Sequence, residues 1–132
     1  MIVGTNVLLR ILDGGTGEHA TAARARVQAA RETGETLRVF AATVLEVAFV
    51  LESARTGYGW SRDAVAAAVR AVADEPAFEV EHGDALRFAA ASYRDRKVDL
   101  HDCYLDALAN QLGTRVLSFD DDLRKLGSGE RP

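Results

Sequence analysis

The chain has 132 residues, 48% hydrophobic and 27% charged, which describes one globular domain and excludes a disordered segment. Its net charge of −4 argues against a protein that coats nucleic acid electrostatically. A lone cysteine, Cys103, rules out an internal disulfide and fits a reducing, cytoplasmic setting, and the longest apolar-rich stretch, Ala41 to Leu51, contains Glu46 and is far short of the roughly 20 residues of a membrane span.

Met1-Ile2-Val3 lacks the basic start of a signal peptide and reads as a short strand, turning at Gly4-Thr5-Asn6 into a helical segment, Val7 to Leu12, that stops at Gly14-Gly15. Thr16 to Arg31 is alanine-rich and helical, ending near Gly34. Leu37 to Phe40 is a second strand, Thr43 to Ser53 a strongly apolar helix, and Ser61 to Ala73 a helix capped by Ser61 with Val65, Val69 and Val72 on one face. A brief strand at Phe78 to Val80 precedes a helix capped by Asp84. Leu86, Ala89, Ala90 and Tyr93 form its apolar stripe. Asp102 to Leu112 is the next helix. Arg115 to Phe119 is the last strand, Leu123 to Leu126 a final turn, and residues 127–132 are expected to fray beyond a single domain at 1–126. Strands alternating with helices, too far apart for hairpins, predict an α/β fold: a three-layer α/β/α domain around a central parallel sheet.

Sites in such sheets gather beyond the carboxyl ends of the strands. Two strands run there into polar residues, Gly4-Thr5-Asn6 and Ser118-Phe119-Asp120, and Glu46 and Asp102 stand near helix starts. Carboxylates converging from distant segments suit a hard cation such as Mg²⁺. Each also has a plainer reading. Thr43-x-x-Glu46 fits a capping box, although Glu46 is the only charge in a helix apolar nearly all round, and a buried carboxylate needs a partner. Asp99 and Asp102 fit a cap pairing. Asp106, one turn past Asp102, is an auxiliary ligand or, more simply, a solvated charge. Of Asp120, Asp121 and Asp122, only Asp120 directly follows the strand, and all three fit a helix start. His19, His82 and His101 lack ligand spacing, Cys103 reads as a small core residue, and Gly14-Gly15-x-Gly17 follows a helix and lacks a phosphate-loop lysine. Arginine outnumbers lysine, as a GC-rich coding sequence would produce. Arg10, Arg55 and Arg62 suit backbone phosphates only in that general sense.

Taken together, MIVGTNVLLRIL at the start, Glu46 in TVLEVAFVL, Asp102 in DLHDCYLDALANQLG and Ser118-Phe119-Asp120 resemble the PIN-domain ribonucleases, in particular the VapC toxins of type II toxin–antitoxin pairs. The resemblance covers nearly the whole chain. It implies a Mg²⁺- or Mn²⁺-dependent endoribonuclease in which Glu46, Asp102 and Asp120 are metal-holding catalytic acids, oriented from behind by Thr5, Asn6 and Ser118, with Asp99, Asp106 and Asp122 as weaker candidates. Cleavage would leave 5′-phosphate and 3′-hydroxyl ends. The partners implied are a VapB-like antitoxin, single-stranded or structured RNA, and a second copy in a homodimer.

One departure is severe. The family's first aspartate is replaced by Gly4, which has no side chain to coordinate anything, so the copy is expected to be impaired. Survival of the other acids favours an inactivating change over drift into a pseudoenzyme. The alternative is a catalytically dead PIN domain serving as an antitoxin- or RNA-binding module. Gly4 also removes the nucleophile that an acyl-phosphate mechanism would need after the first strand.

Overall fold

The computed structural model describes residues 1–132. In chain order the elements are α1 (Thr5–Leu12), α2 (Glu18–Thr33), β1 (Leu37–Val39), α3 (Ala41–Glu52), α4 (Arg62–Asp74), β2 (Phe78–Val80), α5 (Gly83–Arg96), α6 (Leu100–Leu112), β3 (Val116–Leu117), α7 (Asp121–Leu126) and β4 (Gly129–Glu130), with a 3₁₀ turn at Ala54–Thr56. No helix is long and apolar enough to cross a membrane.

Every strand pairing is parallel, as helical crossovers demand. β1 lies beside β2 with Leu37 opposite Phe78 and Val39 opposite Val80. Met1–Val3 is extended and adds to β1 through an Ile2–Arg38 bridge, with bonds from Val3 N to the Arg38 carbonyl at 2.8 Å and from Arg38 N to the Met1 carbonyl at 2.9 Å. β3 pairs with β4 as a second parallel pair, Val116 opposite Gly129. The central sheet is therefore smaller than the sequence pattern implies. The expected strand over 115–119 contracts to two residues because Leu117 and Phe119 face solvent at 70% and 75% exposure and gain nothing from further pairing.

Helices supply most of the core. Alanine and valine at three- and four-residue spacing let α4, α5 and α6 approach closely, burying Val65, Val69, Val72, Ala85, Leu86, Ala89 and Tyr93 in one cluster with Leu8, Leu37, Val39, Val44 and Leu51. Arg62 crosses this cluster with its guanidinium 3.8 Å from the Tyr93 ring centroid and donates to the carbonyls of Tyr93 and Val98. Burial pushes the Tyr93 hydroxyl up to about 12. Arg62 is thus a structural clamp rather than a free phosphate contact.

Helix starts explain several differences from the sequence reading. Ser61 caps α4 as expected, accepting from Ala64 N at 3.2 Å. The residue capping α5 is His82, in left-handed backbone at φ 53°, while Asp84 lies one position inside and bonds Arg87 at 2.7 Å. α3 begins two residues before Thr43, so Thr43 and Glu46 form no capping box.

The tail from Gly127 does not fray. Ser128 is buried, its carbonyl accepts from Val116 N at 2.9 Å, and the Glu130 carbonyl accepts from Ser118 N at 2.9 Å. Gly129 packs so closely on α7 that a Cβ there would fall 2.6 Å from the backbone of Leu123 and Arg124, so only glycine fits. The Ser128 hydroxyl donates to Asp106, which is itself buried and also accepts from Asn110 Nδ2 at 3.4 Å. Asp106 is therefore neither a solvated charge nor a member of the acidic site. It ties α6 to the C-terminal strand, which is why it tolerates burial.

Candidate metal centre

Three carboxylates meet where α6 and α7 begin. Asp102, Asp120 and Asp122 each present an oxygen within 4.8 Å of the others. Helix-start geometry puts them there. Asp99 caps α6, accepting from His101 N at 2.8 Å and Asp102 N at 3.3 Å, which leaves the Asp102 side chain free on the first turn. Ser118 accepts from Asp120 N at 3.0 Å, turning the chain out of β3. Asp120 then caps α7 by accepting from Asp122 N at 2.9 Å. An acid at the cap and another two residues on emerge from one helix end, and the adjacent α6 brings the third.

No arginine or lysine neutralises Asp102 or Asp120; Lys125 reaches only Asp122, at 3.4 Å. Burial, then the charges of Asp99 and Asp120, hold the Asp102 carboxyl above the usual carboxylate value, with His101 opposing. The donors are hard oxygens with no sulfur or imidazole among them, a set that fits Mg²⁺ or Mn²⁺.

Glu46 is not part of this trio. It is exposed on α3, not buried as its apolar neighbours suggest, and accepts a 2.7 Å hydrogen bond from the Thr5 hydroxyl. That bond links α3 to the first turn of α1, beside Gly4. The Gly4 backbone, at φ −87° and ψ 164°, suits any residue, and a Cβ there would meet nothing closer than Asn6 Oδ1 at 3.6 Å. The position is open to a longer side chain. Among the sequence candidates, the structure thus groups Asp102 with Asp120, gives Asp99 and Ser118 supporting roles at the helix starts, and sets Thr5 against Glu46. Asp122, a weaker candidate in the sequence that also fits a helix start, joins the cluster. The Asp-x-Asp spacing at a helix start was the signal for it.

Cys103 is fully buried beside this centre, its thiol pushed up to about 11 by burial, and it accounts for packing rather than chemistry.

With this geometry established, comparison with known proteins identifies the family. A model described as "PIN domain" matches residues 1–129. The chain belongs to the PIN-domain family. It is also similar to a VapC ribonuclease of Aquifex aeolicus (strain VF5), 28% identical over 127 residues that cover 96% of this chain and 91% of that protein. The α/β fold with parallel pairings is the one the resemblance implied.

Proposed function

We propose that this PIN domain is a divalent-metal-dependent endoribonuclease of the toxin class, impaired by the glycine at position 4. The observation that carries the reading is the convergence of Asp102, Asp120 and Asp122 with no basic side chain to balance Asp102 and Asp120. Crowded carboxylates of which two lack a basic partner destabilise one another unless a cation joins them. A divalent cation, when bound, supplies charge neutralisation at the phosphate and acidifies water.

The chain's own residues do the rest. Asp102, Asp120 and Asp122 would hold the ion where α6 and α7 begin. Glu46, fixed by Thr5, offers the carboxylate on the α1–α3 side, and Ser118 and Asp99 keep the helix starts in register. Asn6 stands next to the position the missing acid would occupy and orients whatever enters there. The substrate is RNA, and the associations that accompany the activity are a small VapB-like antitoxin and a second copy of the chain. The relative's name, a VapC ribonuclease, supports this assignment.

The deciding experiment is Gly4→Asp. The open space and ordinary backbone at Gly4 mean that the variant should fold. Cleavage of oligoribonucleotides should rise at least ~100-fold over the unsubstituted chain, since even ligand-supporting residues change activity by about 10–100-fold. It should require Mg²⁺ or Mn²⁺ and stop with EDTA. A folded Gly4→Asp chain inert on varied RNAs would sink the enzyme reading. If it nevertheless bound RNA or the antitoxin, the binding-module reading would replace it, which Gly4 itself favours.

A further inference from the structure

Beside Asn6 a cleft opens between α1 and α2, enclosing about 420 Å³ and lined by Asn6, Val7, Arg10, His19, Ala22 and Ala23. Its construction follows from helical spacing. Asn6 and Arg10 are one turn apart on α1, and His19 and Ala23 one turn apart on α2, so each pair shares a face. The two alanines keep the floor low. The volume falls within the roughly 300–1,000 Å³ of small-ligand sites.

The cleft differs from the metal centre in charge. It contains no carboxylate, and its two basic side chains are uncommitted. Several other arginines are engaged within the protein: Arg26 with Glu35 at 2.7 Å, Arg31 with Glu75, Arg87 with Asp74 and Asp84, and Arg62 with carbonyls. Arg10 and His19 have neither an ion pair nor a hydrogen bond within the protein. A free guanidinium fork beside an imidazole recognises an oxyanion, and a phosphodiester above all.

Continuity with the Gly4 position of the proposed site decides which phosphodiester. Asn6 lines the cleft, and its Oδ1 lies 3.6 Å from where a side chain at Gly4 would begin. From Gly4 to Arg10 the helix rises about 9 Å, so a strand whose phosphate lies beside Gly4 presents a neighbouring phosphate to Arg10.

Resting on the nuclease reading above, we propose that the α1–α2 cleft is a subsite for the nucleotide flanking the cleaved bond, with Arg10 gripping its phosphate and His19 supporting it. Arg10 and His19 bind backbone, so the subsite sets strand register and polarity rather than base identity. It also offsets the repulsion that an acidic centre exerts on approaching RNA.

The test is fluorescence anisotropy of a labelled oligouridylate with the unsubstituted chain and its variants in Mg²⁺ buffer. Arg10→Gln should weaken binding roughly tenfold at low salt and flatten the dependence of log K on log salt by about 0.7, the value for one lost single-strand phosphate contact. Arg10→Lys should restore the slope, and His19→Gln should produce a smaller loss. Arg70→Gln, on exposed α4, should change neither quantity. Equal losses in Arg10→Gln and Arg70→Gln would overturn the subsite, as would inorganic phosphate competing as well as oligouridylate at equal phosphate concentration. If Gly4→Asp cleaves RNA while Arg10→Gln binds like its parent, only the subsite falls. If neither the chain nor Gly4→Asp binds the probe, the nuclease reading falls and takes the subsite with it.

Discussion

Where α6 and α7 begin, three carboxylates stand within 4.8 Å of one another, each set by a cap or first-turn position. Outside that trio, between α1 and α3, a single carboxylate, Glu46, is exposed and accepts from the Thr5 hydroxyl, next to Gly4. The crowded side is built from local helix-start chemistry, which a few sequential residues determine. The sparse side brings together two segments 41 residues apart through Thr5 and Glu46, beside a glycine without a side chain.

The largest effect that would break this contrast comes from the crowded side. In the Gly4→Asp background, Asp102→Asn or Asp120→Asn should each lower turnover at least ~100-fold, because each removes a carboxylate that would hold the ion. Asp122→Asn should cost less, since Lys125 already draws on that carboxylate. Single-turnover cleavage of a labelled RNA reads all three. Near-parental rates for Asp102→Asn and Asp120→Asn would mean that the cluster serves only the helix starts.

Thr5→Val sharpens the sparse side. The isosteric methyl removes the 2.7 Å bond to Glu46 without disturbing α1, whose only buried residue is Leu8. Mn²⁺ affinity of Gly4→Asp, read by calorimetry, should fall about tenfold, with an unchanged melting temperature. A fall in stability without a loss of affinity would make the Thr5–Glu46 bond a brace between helices.

How much of this was legible in sequence tracks the range of the interactions. The order of helices and parallel strands follows from hydrophobic spacing, and Ser61, Asp99 and Asp120 are recognisable as cap types. Asp102 and Asp106 look equivalent, one turn apart on a helix, yet one joins the acidic cluster and the other binds Ser128 across 22 residues. Nothing in local spacing separates them. The tail looked frayed because Gly127-Ser128-Gly129 is turn-like, whereas Gly129 is there to let β4 lie against α7. Ser128→Ala should therefore destabilise by about 1–3 kcal/mol in urea titration, by leaving a buried carboxylate oxygen unpaired. Cleavage by the Gly4→Asp form at ambient temperature should survive. Loss of cleavage with no loss of stability would place Asp106 in the chemistry after all.

The smallest effect separates the two sides without any substrate. Asp102 lies above the ordinary carboxylate value because it is half-buried among Asp99 and Asp120, so its charge opposes folding in the metal-free protein at neutral pH. A carboxyl raised in the folded state gains stability when neutralised, the reverse of a salt-bridged acid. Asp102→Asn should therefore raise the metal-free melting temperature by roughly 1–3 °C, since about half a kcal/mol moves a domain of this size by that amount. Glu46→Gln should give no such gain, because Glu46 is exposed and already accepts a hydrogen bond. Saturating Mn²⁺ should reverse the order in the Gly4→Asp background, where the unsubstituted Asp102 gains from the bound ion and the asparagine does not. Scanning calorimetry with and without Mn²⁺ measures both. Equal gains from Asp102→Asn and Glu46→Gln would mean that the excess negative charge is spread over the whole chain rather than concentrated where α6 and α7 begin.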